Sequence, residues 1–230
     1  MAAFGARSAE LEILDGPAPL PLIERSLDFM VWVNRWLGGR RVVLDFLERH
    51  VRGPEFTLLD LGTGSGDIPA AIARWAAARG IRAEITAIDV NRGCLDYARR
   101  RFSAPGVLHV EHSAFDLESL GEFDFITASM FFHHLSDERI VELLRRMAEQ
   151  ARVGFLVNDL WRDWLPYAGV AALSALTLNS VVFHDAKLSV LRGFAPRDAE
   201  RYRELSGLDA LEIRRRPVGR VALSYARGAN

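Results

Sequence analysis

The stretch Asp60-Leu61-Gly62-Thr63-Gly64-Ser65-Gly66-Asp67 sets three glycines at alternate positions between carboxylates. Glycine lets the backbone turn tightly and lets a ligand lie against it with no Cβ in the way. Asp89 lies 23 positions past Gly66, a spacing that suits a carboxylate gripping ribose hydroxyls. A dinucleotide turn reads G-x-G-x-x-G, because a pyrophosphate must reach the helix amino end. Here the spacing is G-x-G-x-G, and Asp67 stands where the third glycine would be. A carboxylate there repels a pyrophosphate and favours a nucleoside with cationic groups and no phosphate. S-adenosylmethionine, with its sulfonium and ammonium, is such a ligand. Asp60 adds a second negative group, unless loop amides satisfy it.

Methyl transfer from a sulfonium is an in-line displacement, so the protein must supply alignment and, for a hydroxyl acceptor, a base. Histidine is the first candidate. His133 and His134 are adjacent, and His184 precedes Asp185, a carboxylate that could fix its tautomer. His134 is the preferred base or substrate orienter; the alternative for each is a polar cap on a neighbouring helix. Asn158 and Asp159, at the end of strand five, could hold a substrate hydroxyl or tie down a turn. Arg192 could face an acidic substrate or close a local salt bridge. His133 and His134 with Asp137 give no convincing ligand geometry, so no metal is expected.

These residues need elements to hold them. FTLLDL (56–61), EITAIDV (84–90), VLHVEH (107–112), FDFITAS (123–129) and GFLVND (154–159) read as buried strands. Between them, 67–79, 91–102 and 136–151 read as helices, with Pro69 in a first turn and Ser136 as an N-cap. Such alternation means a parallel sheet covered on both faces, with ligands at the carboxyl ends of the strands. A helix over 22–50, interrupted at Gly38-Gly39, precedes the first strand; residues before it read as irregular. After strand five the pattern breaks into a long apolar segment, 161–194, then a helix over 196–206 and closing strands at 210–215 and 219–226. The expected architecture is a doubly wound, mostly parallel seven-stranded sheet. Its parts are an N-terminal helical cover (1–54), a cofactor-binding core (55–160), a substrate cap (161–195) and closing elements (196–230).

Composition sets bounds. The 230 residues carry a net charge of -1, which argues against a dedicated nucleic-acid binder. Lys187 is the only lysine, read as compositional bias. One cysteine, Cys94, excludes an internal disulfide and suits a reducing cytoplasm. No targeting segment is visible, and the apolar run 168–183 is short for a membrane span of about 20 residues. Trp161, Trp164, Tyr167, Leu173, Leu176, Phe183 and Phe194 would give the cap an apolar surface for a flat or greasy acceptor, or else a homodimer interface or an extension of the core.

LLDLGTGSGDIP, AIDVN and FDFITASMFFHHL resemble the class I S-adenosylmethionine-dependent methyltransferases typified by those of ubiquinone and menaquinone biosynthesis, over roughly residues 55–160. VNRWLGG, VNDLWRDW and LSVLRGF resemble a smaller bacterial group that often accompanies polyketide or phenolic-lipid pathways. The resemblance implies that Asp60, Gly62, Thr63, Gly64, Gly66 and Asp67 form the cofactor loop, that Asp89 binds the ribose, and that Val90, Ala114 and Phe115 flank the adenine. Asn34, Arg35 and Trp36 would lie on a helix covering the cofactor. Relatives carry Gly-Asp-Ala after strand three; His112-Ser113-Ala114 stands here, so Ser113 or a backbone group must replace the usual adenine contact. The expected activity is O-methylation of a small hydroxylated aromatic or polyketide-like acceptor in secondary metabolism, with Asn158, Trp161 and Arg192 on the substrate side. The alternatives are a C- or N-methyltransferase of a quinone-like or other metabolite, and an inactive cofactor-binding partner protein.

Overall fold

The computed structural model describes residues 4–16 and 18–228. Seven strands form one sheet: β1 (Glu55–Leu61), β2 (Arg82–Asp89), β3 (Val107–Glu111), β4 (Phe123–Ser129), β5 (Ala151–Leu160), β6 (Glu212–Arg216) and β7 (Arg220–Ala226). Their order is β3-β2-β1-β4-β5-β7-β6. The first five are parallel, and β7 inserts antiparallel between β5 and β6. The order reverses between β1 and β4, where two neighbouring crossovers leave in opposite directions and open a crevice.

Helices cover both faces: α1 (Leu20–Trp36), α2 (Gly39–His50), α3 (Asp67–Ala77), α4 (Arg92–Arg101), α5 (Asp137–Gln150), α6 (Trp164–Ala175), α7 (Ser180–Arg192) and α8 (Pro196–Ser206). β1 shows why both faces are needed. Leu59 and Leu61 pack with Leu143, Leu144 and Met147 of α5, whereas Phe56 and Leu58 pack with Phe46 of α2 and Ile72 of α3. Strands buried on both sides read as unbroken apolar runs, the pattern seen in the sequence.

Local chemistry sets several ends. The Asn91 side chain accepts the Gly93 and Cys94 amides at the start of α4, and Asn179 does the same for Val181 and Val182 at α7. The apolar run 168–183 is not one helix. It breaks between α6 and α7, with Leu178 in the left-handed region at φ 52°. No helix of the described residues is long and apolar enough to cross a membrane. The strands of the final pair run 212–216 and 220–226, joined through Val218 and Gly219, both at positive φ.

Candidate active site

A cavity of about 540 Å³ lies over the carboxyl ends of β1, β2 and β4. One end is made by Gly62 and Gly64 of the first strand's tip, Asp89, Val90 and Asn91 of the second, and Ser113, Ala114 and Phe115 after the third. Gly62 and Gly64 sit at φ 59° and 51°, a conformation that side-chain-bearing residues avoid. A Cβ on Gly62 would lie 2.5 Å from the Phe131 ring, itself a cavity wall. Glycine is therefore required here by backbone angle and by space.

Asp89 ties this end together. Its Oδ2 accepts the Gly64 amide at 2.9 Å and its Oδ1 accepts the Asn91 amide at 2.8 Å. Burial raises its pKa, against the pull of those amides. Each oxygen keeps a second lone pair for a hydroxyl from the cavity side. The Ser113 hydroxyl accepts the Phe115 amide at 3.2 Å, so it shapes the third tip while its residue lines the wall.

Several carboxylates and polar groups expected at the ligand do not reach the cavity. Asp67 is buried and already satisfied: Asn34 Nδ2 donates at 3.1 Å, Ser65 Oγ at 2.7 Å and Arg40 Nε at 3.0 Å. It pins α3 to α1 and α2 and is not a free charge facing a ligand. Asp60 is buried under the loop and accepts the Thr127 hydroxyl at 2.7 Å. Burial, together with the nearby Asp67 and Asp89 charges, pushes its pKa to about 7. Thr63 is buried off the cavity, and Gly66 (φ 73°) is there for packing, since a Cβ would lie 2.6 Å from that of Ala98. Arg35 is exposed and stacks over the Trp36 ring at 5.1 Å, on the outside of α1; Ile23, Ser26, Leu27, Met30 and Val33 form that helix's cavity face.

The opposite end of the cavity holds His133 and His134, on a short turn (Phe132–His134) after β4. Met130, just before it, is forced to φ 56°. A strained non-glycine residue in a cavity wall marks a spot where surrounding structure dictates the backbone. His133 Nδ1 lies 2.7 Å from Asp159 Oδ1, and His134 Nδ1 lies 2.6 Å from Asp15 Oδ1. With carboxylates as partners, both Nδ1 atoms are the donors, and neither Nε2 has a hydrogen-bond partner among the described residues. Burial alone would raise Asp159, but the His133 ring outweighs it and holds the carboxyl below its usual range. Asp15 is likewise brought down to about 2: burial opposes, but the bond from His134 and the Arg192 charge prevail. Glu12 Oε1 stands 3.6 Å from His133 Nε2 and accepts the Ser189 hydroxyl at 2.7 Å; burial raises its pKa.

Glu12, Leu14 and Asp15 belong to the segment before α1, which crosses the cap as a strap. Asp185 accepts the Ile13 and Leu14 amides at 3.0 and 3.1 Å. Arg192 donates to the Glu10 carbonyl, to Asp15 Oδ2 and to the carbonyls of His133 and His134, all at 2.8–3.0 Å. Arg7 adds donors to the carbonyls of His133 and Leu135. Arg192 is thus a clamp on the histidine turn and does not face a substrate.

Other expected substrate residues move too. His184 does pair with Asp185, at 3.0 Å, but it is 43% exposed and lies off the cavity. Asn158 is buried and donates to the Gly39 carbonyl at 3.3 Å. Trp161 is buried in the core beside Phe194, whereas Trp164 and Leu176 are 64% and 78% exposed. None of the seven large apolar cap residues singled out in the sequence lines the cavity; Val170, Val182, Ala186 and Ser189 do. Asp159 was placed at the rim by the end of strand five, but its partner His133 was not; Glu12 and Asp15 carried no local sequence signal for their roles, since their partners lie more than a hundred positions away.

Residues 58–154 match the family model of a methyltransferase domain. No curated protein matches the chain in sequence. Among solved structures, the chain is similar to a Nostoc punctiforme PCC 73102 protein provisionally assigned as an O-methyltransferase: TM-score 0.66, 16% identity, 98% of this chain and 66% of that one. It is similar to human N-acetylserotonin methyltransferase in complex with S-adenosylmethionine: TM-score 0.60, 18% identity, 90% and 56%. It is also similar to a S-adenosylmethionine-dependent methyltransferase from Aquifex aeolicus: TM-score 0.58, 16% identity, 91% and 98%. The chain spans just under two thirds of the first of these and a little over half of the second. At these identities the likeness establishes the fold, which is the Rossmann-like fold of class I methyltransferases. Residues 58–154 thus match a methyltransferase domain, set within the fold that class I methyltransferases share.

Proposed function

We propose that the protein transfers a methyl group from S-adenosylmethionine to a hydroxyl of a small, largely apolar acceptor. The observation that carries this is the continuity of one cavity from the Gly62–Gly64–Asp89 tip to the His133–His134 turn. The cofactor's ribose hydroxyls would meet Asp89, its adenine would lie between Val90 and Phe115, and its methyl would point toward the histidines. Displacement at that methyl needs the acceptor oxygen held in line behind it. The acceptor's body would rest on Phe29, Met30, Leu135, Val170 and Val182, a lining that favours a hydroxylated aromatic or polyketide-like molecule.

His134 would receive the hydroxyl proton at Nε2; its support is Asp15, 2.6 Å from Nδ1, which would hold the tautomer and stabilise the imidazolium that forms. His133, backed by Asp159, fixes the neighbouring wall. A pathway in secondary metabolism and a quinone-like acceptor remain within this reading, because both present a hydroxyl on an apolar frame.

Calorimetric titration with S-adenosylmethionine, beside NAD⁺, tests the cofactor. Transfer of a labelled methyl group to a panel of phenols tests the acceptor. Cofactor binding together with product formation supports the reading. Binding of NAD⁺ in place of S-adenosylmethionine overturns it, and tight cofactor binding with no turnover on any phenol favours an inactive partner protein.

A further inference from the structure

Two histidines whose Nδ1 atoms are both held by carboxylates, and which both offer a nitrogen within 4.8 Å of a buried glutamate oxygen, are an unusual convergence for a wall that needs one base. We propose that Glu12, His133 and His134 form a binding site for a first-row divalent cation, of the zinc or cobalt type, at the acceptor end of the cavity. The ligand atoms of the three side chains lie within 4.8 Å of one another. A cation bound at about 2.0–2.2 Å from each needs them roughly 3–4 Å apart, and the Glu12–His133 pair already stands at 3.6 Å.

The surroundings fit a cation more closely than a base alone would require. Histidines that bind metals give their other ring nitrogen to a carboxylate, which fixes the tautomer and raises ligand basicity. Asp159 and Asp15 do this for both rings, at 2.7 and 2.6 Å. Ser189 orients Glu12 at 2.7 Å. Arg192 and Arg7 hold the backbone carbonyls of the turn, so the ring origins are fixed before any ion arrives. Two imidazoles and one carboxylate favour a borderline ion over magnesium or calcium, which prefer all-oxygen sets. The cavity side leaves coordination positions open.

The site itself rests only on these side chains; its consequence rests on the role proposed for His134. An Nε2 that ligates a cation cannot also accept a proton, so loading the site suppresses a reaction that depends on that base.

Protein stripped with a chelator and titrated with Zn²⁺ by calorimetry, with no cofactor present, should bind one equivalent at roughly micromolar affinity or tighter. Co²⁺ should give the absorption of a nitrogen- and oxygen-ligated ion. Glu12→Gln and His133→Asn should each weaken binding at least about tenfold, and Asp159→Asn about 10–100-fold. His184→Gln, off the cavity, should leave affinity unchanged. Thermal melts followed by circular dichroism confirm folding of each variant; should one unfold, shifts of imidazole signals in the native protein on adding Co²⁺ report the same ligands. Failure of Zn²⁺ to bind, or binding undiminished in both Glu12→Gln and His133→Asn, overturns the site. Turnover that rises with Zn²⁺ would support the site and overturn His134 as base. Zinc binding without S-adenosylmethionine binding would leave the site standing and remove the methyl-transfer reading.

Discussion

At the end of the cavity proposed for the cofactor, Gly62, Gly64, Asp89 and Asn91 come from two consecutive strand tips, joined by hydrogen bonds spanning 25 and 2 positions. At the acceptor end, Glu12, Asp15, His133, His134, Asp159 and Ser189 come from the strap, two strand tips and the cap, joined across 26, 119 and 177 positions. The first end is made mostly of backbone: glycines that permit the turn and amides that point at Asp89. The second is made of side chains on elements that meet only after folding. On the proposed reading, the first end would meet a cofactor common to many enzymes and can be local, whereas the second would meet a particular acceptor and can be assembled from whatever the cap and strap bring.

Breaking one end while sparing the other tests that division. His134→Gln should lower kcat by about a hundred- to ten-thousand-fold, with S-adenosylmethionine affinity unchanged by calorimetry; an equal loss of cofactor affinity would mean that the ends are not separable. Arg192→Met should destabilise the fold by about 3–5 kcal/mol in urea unfolding, because it strips a buried clamp from Asp15 and from the carbonyls of Glu10, His133 and His134. Asp89→Ala should weaken cofactor binding about a hundredfold, on the order of 3 kcal/mol, while Zn²⁺ binding at the other end persists.

Asp60 sharpens the comparison through pH. Its folded pKa of about 7 lies above the ordinary carboxylate value, so the folded state holds a proton that the unfolded state has lost. That contribution is fully present below about pH 4 and disappears as pH rises toward 7; above it the ionised carboxylate is a net cost. Replacement by Asn should remove the fall, gaining on the order of 2 kcal/mol at pH 8 relative to wild type, read from unfolding curves at pH 5 and pH 8. The smallest effect is expected at His184→Gln: turnover within about twofold of wild type, because its exposed ring lies off the cavity.

The sheet, the glycine tip and Asp89 were legible because each depends on neighbours in sequence. Period, turn chemistry and the spacing of a strand-turn-helix unit are local facts. Asp67 was misread for an instructive reason. Its position at a helix start was right, but Asn34 and Arg40, from helices before the first strand, neutralise it. The cap was misread similarly: aromatic residues were expected at the ligand, yet Trp161 and Phe194 fill the core while small residues face the cavity. Arg192 read either as facing an acidic substrate or as closing a local salt bridge; it forms the salt bridge, with Asp15, as part of the clamp on the histidine turn.

By itself, the order of residues determined the alternation of strands and helices, the left-handed turn at Gly62 and Gly64, and the placing of His133 and His134 beyond β4. Tertiary structure alone decided which carboxylate each histidine meets, that the segment at 4–16 closes the cavity, and which charged groups face a ligand. The reason is range. Backbone preference and apolar periodicity act over a few residues and are written in each stretch of chain. The pairing of buried polar groups is chosen by proximity and desolvation, and these exist only once distant parts of the chain share one dry interior.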